Sequence, residues 1–145
     1  MEEKEKIEKI KKDFNNHPCI KEKHKFQLDG LTERTAIVST PVTLALCVKE
    51  EGTYIVNGGE LGALANFAGV QVAKMQCERF PPLIISQLRC YRKTIFGKDK
   101  KILAWAELKR LTKKLVFVEA RIANEEGESK AIVKLIYSNR DVSPD

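Results

Sequence analysis

The sequence of 145 residues lacks the long apolar run that a membrane-spanning helix needs. Such a helix takes about 20 consecutive apolar residues, whereas the longest apolar stretch here is interrupted by Glu60, Asn66 and Gln71. The N-terminus, MEEKEKIEKIKKDF, is charged throughout and has no apolar signal-peptide core. We therefore expect a cytoplasmic protein without a membrane span.

Cysteine and histidine are scarce and irregularly spaced. The four cysteines form no CxxC pair, so we expect reduced, buried thiols rather than disulfides. The two histidines, His17 and His24, lie near Cys19 at spacings that fit no zinc finger. The sequence thus predicts neither a metal site nor a resident cofactor.

Basic residues are in excess, 26 Lys and Arg against 20 Asp and Glu, and they are unevenly distributed. Ten of them fall between residues 89 and 114: Arg89, Arg92, Lys93, Lys98, Lys100, Lys101, Lys109, Arg110, Lys113 and Lys114. Such a cluster suits a polyanionic ligand, although a solvated Lys-rich surface produces the same pattern. Nucleic-acid binding would need exposed aromatic residues among the basic ones. Only Tyr91, Phe96 and Trp105 are available, so we expect no nucleic-acid partner.

The apolar periodicity predicts an α+β protein with one folded domain. We assign residues 1–22 to an N-terminal helix and its lead-in, 23–138 to the domain, and 139–145 to a polar tail. A helix is predicted from Gly59 to Gln76. Strands are predicted on both sides of Pro41 within residues 34–48, and then at 83–96, 101–111, 115–123 and 130–138.

The stretch NGGELGALANFAGVQVAKM, residues 57–75, is apolar on most of its circumference. A helix of this kind is normally buried, and one flat sheet face cannot cover it. We therefore predict a long antiparallel sheet of five or six strands that curls around this central helix. The remaining edge or face of the sheet must also be covered, which favours a dimer.

We expect the polar residues of this helix to lie in two different environments, one at the surface or an interface and one among apolar residues. Glu60, Gln71 and Lys74 share one stripe, which we expect to face solvent or a dimer partner. Asn66 lies about 120° from Glu60, among small apolar residues. Burying an amide without partners costs about 1–3 kcal/mol, so Asn66 is either bonded by neighbouring backbone or has a functional task. The residues alone leave both interpretations open.

The Gly-Gly turn, the apolar helix and the strands that follow resemble the hotdog fold, and are similar to acyl-CoA thioesterases of the PaaI-like kind. In that family a His or Asn precedes Gly-Gly, and an Asp lies seven residues after the second Gly. Here Asn57-Gly58-Gly59 occupies the turn, and Asn66 stands at the position of the Asp. The resemblance extends from Arg34 to Ser138 and includes the strands after the helix.

The resemblance implies hydrolysis of a fatty or aryl acyl-CoA by a homodimer or a dimer of dimers, with coenzyme A entering as part of the substrate. The family's helix carboxylate acts as general base or nucleophile. The amide of Asn66 cannot take that proton and would instead orient water. FcoT-like long-chain thioesterases resemble this pattern, with asparagine and tyrosine side chains, and Tyr54 and Asn57 are the candidates for those roles here. A non-catalytic acyl-CoA sensor of the FapR kind is the alternative, and a structural oligomerisation module is the third.

Several residues can then be given roles. The N–H groups of Gly58 and Gly59, at the positive end of the helix, can face a thioester carbonyl. Alternatively, the glycines allow a tight turn. Asn57 either holds the carbonyl or caps the helix. The phosphates of coenzyme A need Arg or Lys, and the candidates are Arg89, Arg92, Lys93, Lys98 and Lys100.

Overall fold

The computed structural model describes residues 2–78, 81–91 and 99–139. The helices are α1 (Glu3–Asn16), α2 (Pro18–Glu22) and α3 (Gly58–Met75), with a 3-10 turn at Leu44–Leu46. The strands are β1 (Gln27–Leu31), β2 (Thr35–Pro41), β3 (Cys47–Glu50), β4 (Thr53–Val56), β5 (Leu83–Tyr91), β6 (Lys101–Leu111), β7 (Leu115–Asn124) and β8 (Ser129–Ser138). The predicted continuation of β5 to residue 96 and most of the predicted polar tail lie outside the described residues.

The main sheet has six strands in the order β1-β2-β6-β7-β8-β5, and every neighbouring pair is antiparallel. Strand β6 shows why the pattern could be predicted: Ile102, Ala104, Ala106 and Leu108 alternate with more exposed residues, and all four are buried. Strands β3 and β4 form a separate hairpin. The predicted α+β architecture, a long antiparallel sheet with one central helix and a short N-terminal helix, is confirmed.

Helix α3 packs against β2, β6, β7 and β8 and lies within one residue of its predicted bounds. Small side chains let the helix approach the sheet, since Ala65, Ala68 and Ala73 are fully buried. At Gly69 even one additional carbon is excluded, because a Cβ there would lie 2.8 Å from the hydroxyl of Tyr137. The small residues of α3 therefore let its backbone pack close to the sheet.

Helix α1 covers another side of α3. Its residues Ile10 and Phe14 are buried in the same core as the residues of α3 and the sheet. Burial lowers the pKa of Lys74 below its usual value, and the nearby carboxylate of Asp13 in α1 offsets part of this shift. The N-terminal helix is thus packed onto the domain.

This packing corrects the prediction that one polar stripe of α3 faces solvent or a dimer partner. Gln71 is only 2% exposed, and its Nε2 donates a hydrogen bond to the carbonyl of Phe67 at 2.8 Å. Helix amphipathicity placed Glu60, Gln71 and Lys74 together, but α1 and the segment after it cover this side, so the stripe is not open to water. Glu60 is partly buried as well.

Two smaller predictions were also wrong. The second strand segment after Pro41 begins only at Cys47, because the chain first makes the 3-10 turn at Leu44–Leu46. The thiols are free but not uniformly buried: Cys77 is buried, Cys19 and Cys47 are intermediate, and Cys90 is exposed. Cys90 lies on β5, an edge strand, where an apolar sequence context does not guarantee burial.

None of the helices in the described part of the chain is long and apolar enough to cross a membrane. Within residues 2–78, 81–91 and 99–139, no group of three or more His, Cys, Asp or Glu side chains is placed to hold a metal ion.

Candidate active site at the N-terminus of α3

Asn57 is the N-cap of α3. Its backbone is extended, and its side-chain Oδ1 accepts a hydrogen bond from the N–H of Gly59 at 2.7 Å. Its own N–H donates to the carbonyl of Leu46 at 2.8 Å, which fixes the entry of the chain into the helix. The side-chain Nδ2 is left as a donor without a hydrogen bond among the described residues. The cap therefore orients an exposed amide N–H₂ group at the positive end of the helix.

Gly59 allows close packing, and neither glycine of the turn adopts an unusual backbone conformation. Neither Gly58 nor Gly59 has a positive φ. A Cβ at Gly59 would lie 3.2 Å from Oδ1 of Asn57, so the absence of a side chain leaves room for the cap. The N–H of Gly59, predicted to face a substrate carbonyl, is engaged by Asn57 in this structure.

Strand β5 brings two polar side chains to the first turns of α3. Arg89 donates from Nη1 to the carbonyl of Gly58 at 3.2 Å, and Gln87 donates from Nε2 to the carbonyl of Gly62 at 2.9 Å. Gly62 permits this approach, because a Cβ there would lie 3.2 Å from the guanidinium carbon of Arg89. A guanidinium beside the positive end of a helix creates a field that attracts anions. Of the predicted basic ligands, Arg89 is thus placed directly at the turn.

Asn66 is bonded to a side chain that the sequence analysis did not single out. The hydroxyl of Tyr137 donates to Oδ1 of Asn66 at 2.8 Å. Tyr137 is fully buried, and burial raises the pKa of its hydroxyl well above the usual range, so the hydroxyl remains a donor. The amide Nδ2 of Asn66 makes no hydrogen bond within the described residues. The alternation in β8, in which Val133 and Leu135 are buried, is the sequence pattern that predicts an inward direction for Tyr137.

The other predicted site residues are less closely associated with this turn. Tyr54 is 43% exposed on the β3-β4 hairpin, with the ammonium of Lys49 5.8 Å from its ring centroid. No hydrogen bond joins it to Asn57 or Asn66 in the described residues. Lys100 is exposed just before β6, and its backbone N–H donates to the carboxylate of Glu125 at 3.0 Å. Outside the described residues lie three further predicted ligands of coenzyme A: Arg92, Lys93 and Lys98.

Histidine and a carboxylate meet on the opposite side of the same helix end. Nδ1 of His24 lies 3.7 Å from Oε2 of Glu60, in the first turn of α3. From the sequence alone, His24 was considered as a zinc ligand, and its spacing from Cys19 excluded that role. The chain reversal between α2 and β1 that returns His24 to α3 could not be predicted from spacing.

Comparison with known proteins supports the fold. No protein-family model matches the sequence, and no curated protein matches it. Among solved structures, the PaaI protein of Escherichia coli, from the phenylacetic acid degradation operon, superposes with a TM-score of 0.82 at 17% identity, covering 94% of each chain.

Two further structures give the same result. A mutant of the phenylacetic acid degradation protein PaaI from Thermus thermophilus has a TM-score of 0.72 at 19% identity, over 85% of this chain and 99% of that one. A mutant thioesterase from Staphylococcus aureus has a TM-score of 0.74 at 18% identity, over 81% and 94%. The chain therefore has the hotdog fold of the thioesterase-superfamily proteins to which it is similar, as the sequence resemblance predicted.

Proposed function

We propose that this protein hydrolyses the thioester of a fatty or aryl acyl-CoA to the free acid and coenzyme A. The observation that carries the proposal is the Asn57-Gly58-Gly59 turn, which presents an oriented amide donor at the positive end of a buried helix. Arg89 adds a cation at the same turn. The names of the structural neighbours, which include thioesterases, support the reaction class.

In the proposed mechanism, Nδ2 of Asn57 donates to the thioester carbonyl oxygen, and the N-terminus of α3 stabilises the oxyanion that forms there. Removing one donor of this kind typically costs about 10²–10³ in rate. The N–H of Gly59 contributes by holding Oδ1 of Asn57, which directs the other half of the amide toward the substrate.

Asn66 has the task of orienting the attacking water. Its Oδ1 is held by Tyr137, so its Nδ2 is the group that is left to bind a water oxygen. An amide accepts no proton at neutral pH, and this role is therefore one of orientation and not of base catalysis. Tyr137 acts as a positioning residue for Asn66.

The basic residues are proposed to bind the phosphates of coenzyme A. Arg89 reaches the carbonyl of Gly58, and Lys100 precedes strand β6, whose first residue Lys101 pairs with Pro41. Arg and Lys are the usual phosphate ligands. We assign Arg92, Lys93 and Lys98 to the same set from the sequence alone.

A homodimer, or a dimer of such dimers, is proposed as the active form. Strand β5 ends the sheet order and exposes four large apolar side chains, between 46% and 58% accessible: Leu83, Ile84, Ile85 and Leu88. An edge of this kind favours pairing with a second chain. The acyl chain would then lie in an apolar channel at the boundary between the subunits.

A second candidate function is binding without turnover, by an acyl-CoA sensor module. The specific observation in its favour is Asn66, which has an amide where the family's motif has a carboxylate and whose oxygen is already engaged by Tyr137. Such a module would retain the turn and the basic residues but hydrolyse nothing.

An assay of free-thiol release separates the two functions. Wild type is expected to hydrolyse acyl-CoA in a manner that depends on acyl-chain length, and Asn66→Ala is expected to lower kcat by about 10²-fold, the typical cost of misplacing a reactant. Asn66→Asp is assayed alongside, and the control is Asn16→Ala, an exposed residue at the end of α1.

The outcomes differ clearly. Binding without turnover in wild type, together with activity gained in Asn66→Asp, overturns the hydrolase and favours the sensor. Unchanged rates in both variants remove Asn66 from the site, while the hydrolase itself stands.

A further inference from the structure

The main sheet has a second face, on the side away from α3, and this outer face is rich in apolar residues. Helix α3 packs on the inner face, to which the buried residues Ala104 and Ala106 of β6 belong. The alternate positions of an antiparallel sheet face the other way and are commonly polar. Here six outward positions of β2, β6, β7 and β8 are apolar and keep part of their surface accessible: Ile37, Leu103, Trp105, Phe117, Ile132 and Ile136. We call these six residues the outer apolar patch.

The register of the strands joins these side chains into one surface. Trp105 lies directly opposite Ile37 of β2, and Phe117 lies directly opposite Ile136 of β8. Directly opposite side chains on one face have Cβ atoms about 4.5–5.5 Å apart, so they are in contact. Trp105 is 44% exposed, although β6 is an interior strand of the sheet. Single apolar residues are normal on protein surfaces, whereas a contiguous patch indicates contact with another molecule.

The charges on the outer face are complementary to those of a second copy of the same face. Glu107, Glu119 and Lys134 lie in one row across β6, β7 and β8, acidic at one end and basic at the other. A two-fold axis that runs along the strands between two such faces brings the basic end of each row onto the acidic end of the other. An anionic membrane would instead favour a uniformly basic surface.

Two copies of one sheet also match in shape and supply enough area. Sheets pack face to face about 10 Å apart with strand directions within about 30° of each other, because both have the same twist. From β2 to β5 the outer face spans five strands. With strands about 4.8 Å apart and about 3.4 Å per residue, seven residues of each strand cover roughly 550 Å² per chain. The two faces together then bury about 1,100 Å², which is above the lower limit of about 1,000 Å² for a specific interface.

We propose that a second copy of this chain packs on the outer apolar patch, sheet against sheet, about a two-fold axis along the strands. This contact stacks two sheets, whereas pairing at the edge of β5 would extend one sheet sideways. Both contacts together give the proposed dimer of dimers. Leu88 of β5 lies directly opposite Lys134 and borders both surfaces, so a charge placed on it would disturb both contacts. The stacking of the sheets does not depend on thioester hydrolysis.

Trp105 is the only tryptophan of the chain, so its fluorescence reports on this face alone. The test measures the mass of wild type by light scattering and the quenching of Trp105 by acrylamide in the same samples. We expect wild type at four times the chain mass of 16.5 kDa, with Trp105 protected from the quencher. In a dilution series, separation of the stacked sheets should halve the mass and increase the quenching together.

Ile132→Glu places a charge in the patch two strands away from Trp105. Inside the chain the new carboxylate lies directly opposite Arg121, which is a favourable pair and helps the variant to fold. We expect half the mass of wild type and stronger quenching of Trp105. The matched control is Leu111→Glu, which changes an exposed apolar residue of the same strand as Trp105. Leu111 lies opposite the buried Val116, on the inner side of the sheet, so this variant should keep the mass and the quenching of wild type.

Thermal unfolding of each variant shows whether it is folded, and the dilution series tests the contact on wild type even if a variant is not. A wild-type assembly whose Trp105 is quenched as freely as in the urea-unfolded chain overturns the proposal. So does an Ile132→Glu variant that is folded and keeps the mass of wild type. If Trp105 becomes protected only when vesicles of phosphatidylcholine and phosphatidylserine are added, a membrane covers this face and not a second copy. Absence of acyl-CoA hydrolysis in an assembly with protected Trp105 contradicts the proposed function and leaves the sheet contact standing.

Discussion

At the scale of single residues, the hydrogen bond from Tyr137 to Asn66 is a side-chain contact that joins α3 to strand β8. Tyr137→Phe leaves Oδ1 of Asn66 without this donor. A fully buried group without its partner costs about 1–3 kcal/mol, and because Asn66 is only partly buried the lower end of that range applies. We expect a loss of that size in the free energy of unfolding, measured with urea. The control is Tyr54→Phe, whose hydroxyl makes no hydrogen bond in the described residues and whose ring is 43% exposed. That change should stay within about 0.5 kcal/mol.

The stability of wild type and of Tyr137→Phe is also expected to depend differently on pH. Burial raises the pKa of Tyr137, whereas tyrosine in an unfolded chain ionises near pH ~10. Above that pH the unfolded state has lost a proton that the folded state keeps, so stability falls as pH rises. Wild type should therefore lose up to ~1.4 kcal/mol per pH unit more than Tyr137→Phe in this alkaline range. Parallel curves for the two proteins would contradict the burial of the hydroxyl.

At the scale of elements, β5 is an edge strand of the sheet that exposes large apolar side chains. If its edge pairs with a second copy, charge placed on its exposed apolar residues should prevent association. Wild type is expected at twice the chain mass of 16.5 kDa, or a multiple of that, by light scattering. The double variant Ile85→Lys, Leu88→Lys should run as a monomer. Leu111→Lys, on a residue 50% exposed at the end of β6, is the matched control. If only the control variant Leu111→Lys dissociates into monomers, the interface does not lie at β5.

At the scale of the whole molecule, the sequence predicts more of the fold than of the candidate site. Strand β6 was predicted at its observed bounds, because alternation and turn residues are local properties of the sequence. The turn at Asn57 was predicted for the same reason, with capping as one of the two roles left open for Asn57. The contacts of α3 with Arg89, Tyr137 and His24 join residues distant in sequence. They depend on strand order and on how the N-terminal segment folds back, and no local pattern specifies either.

The central claim is that an acyl-CoA thioester binds at the N-terminus of α3, and an NMR titration tests it most directly. A thioether analogue of acyl-CoA, which cannot be hydrolysed, is added to ¹⁵N-labelled protein, with free coenzyme A as the control. We expect the backbone amide signals of Gly58 and Gly59 and the side-chain amide signals of Asn57 to shift together and saturate with the analogue, and to shift less with free coenzyme A. Saturable binding of the analogue that leaves these three residues unmoved would contradict the claim.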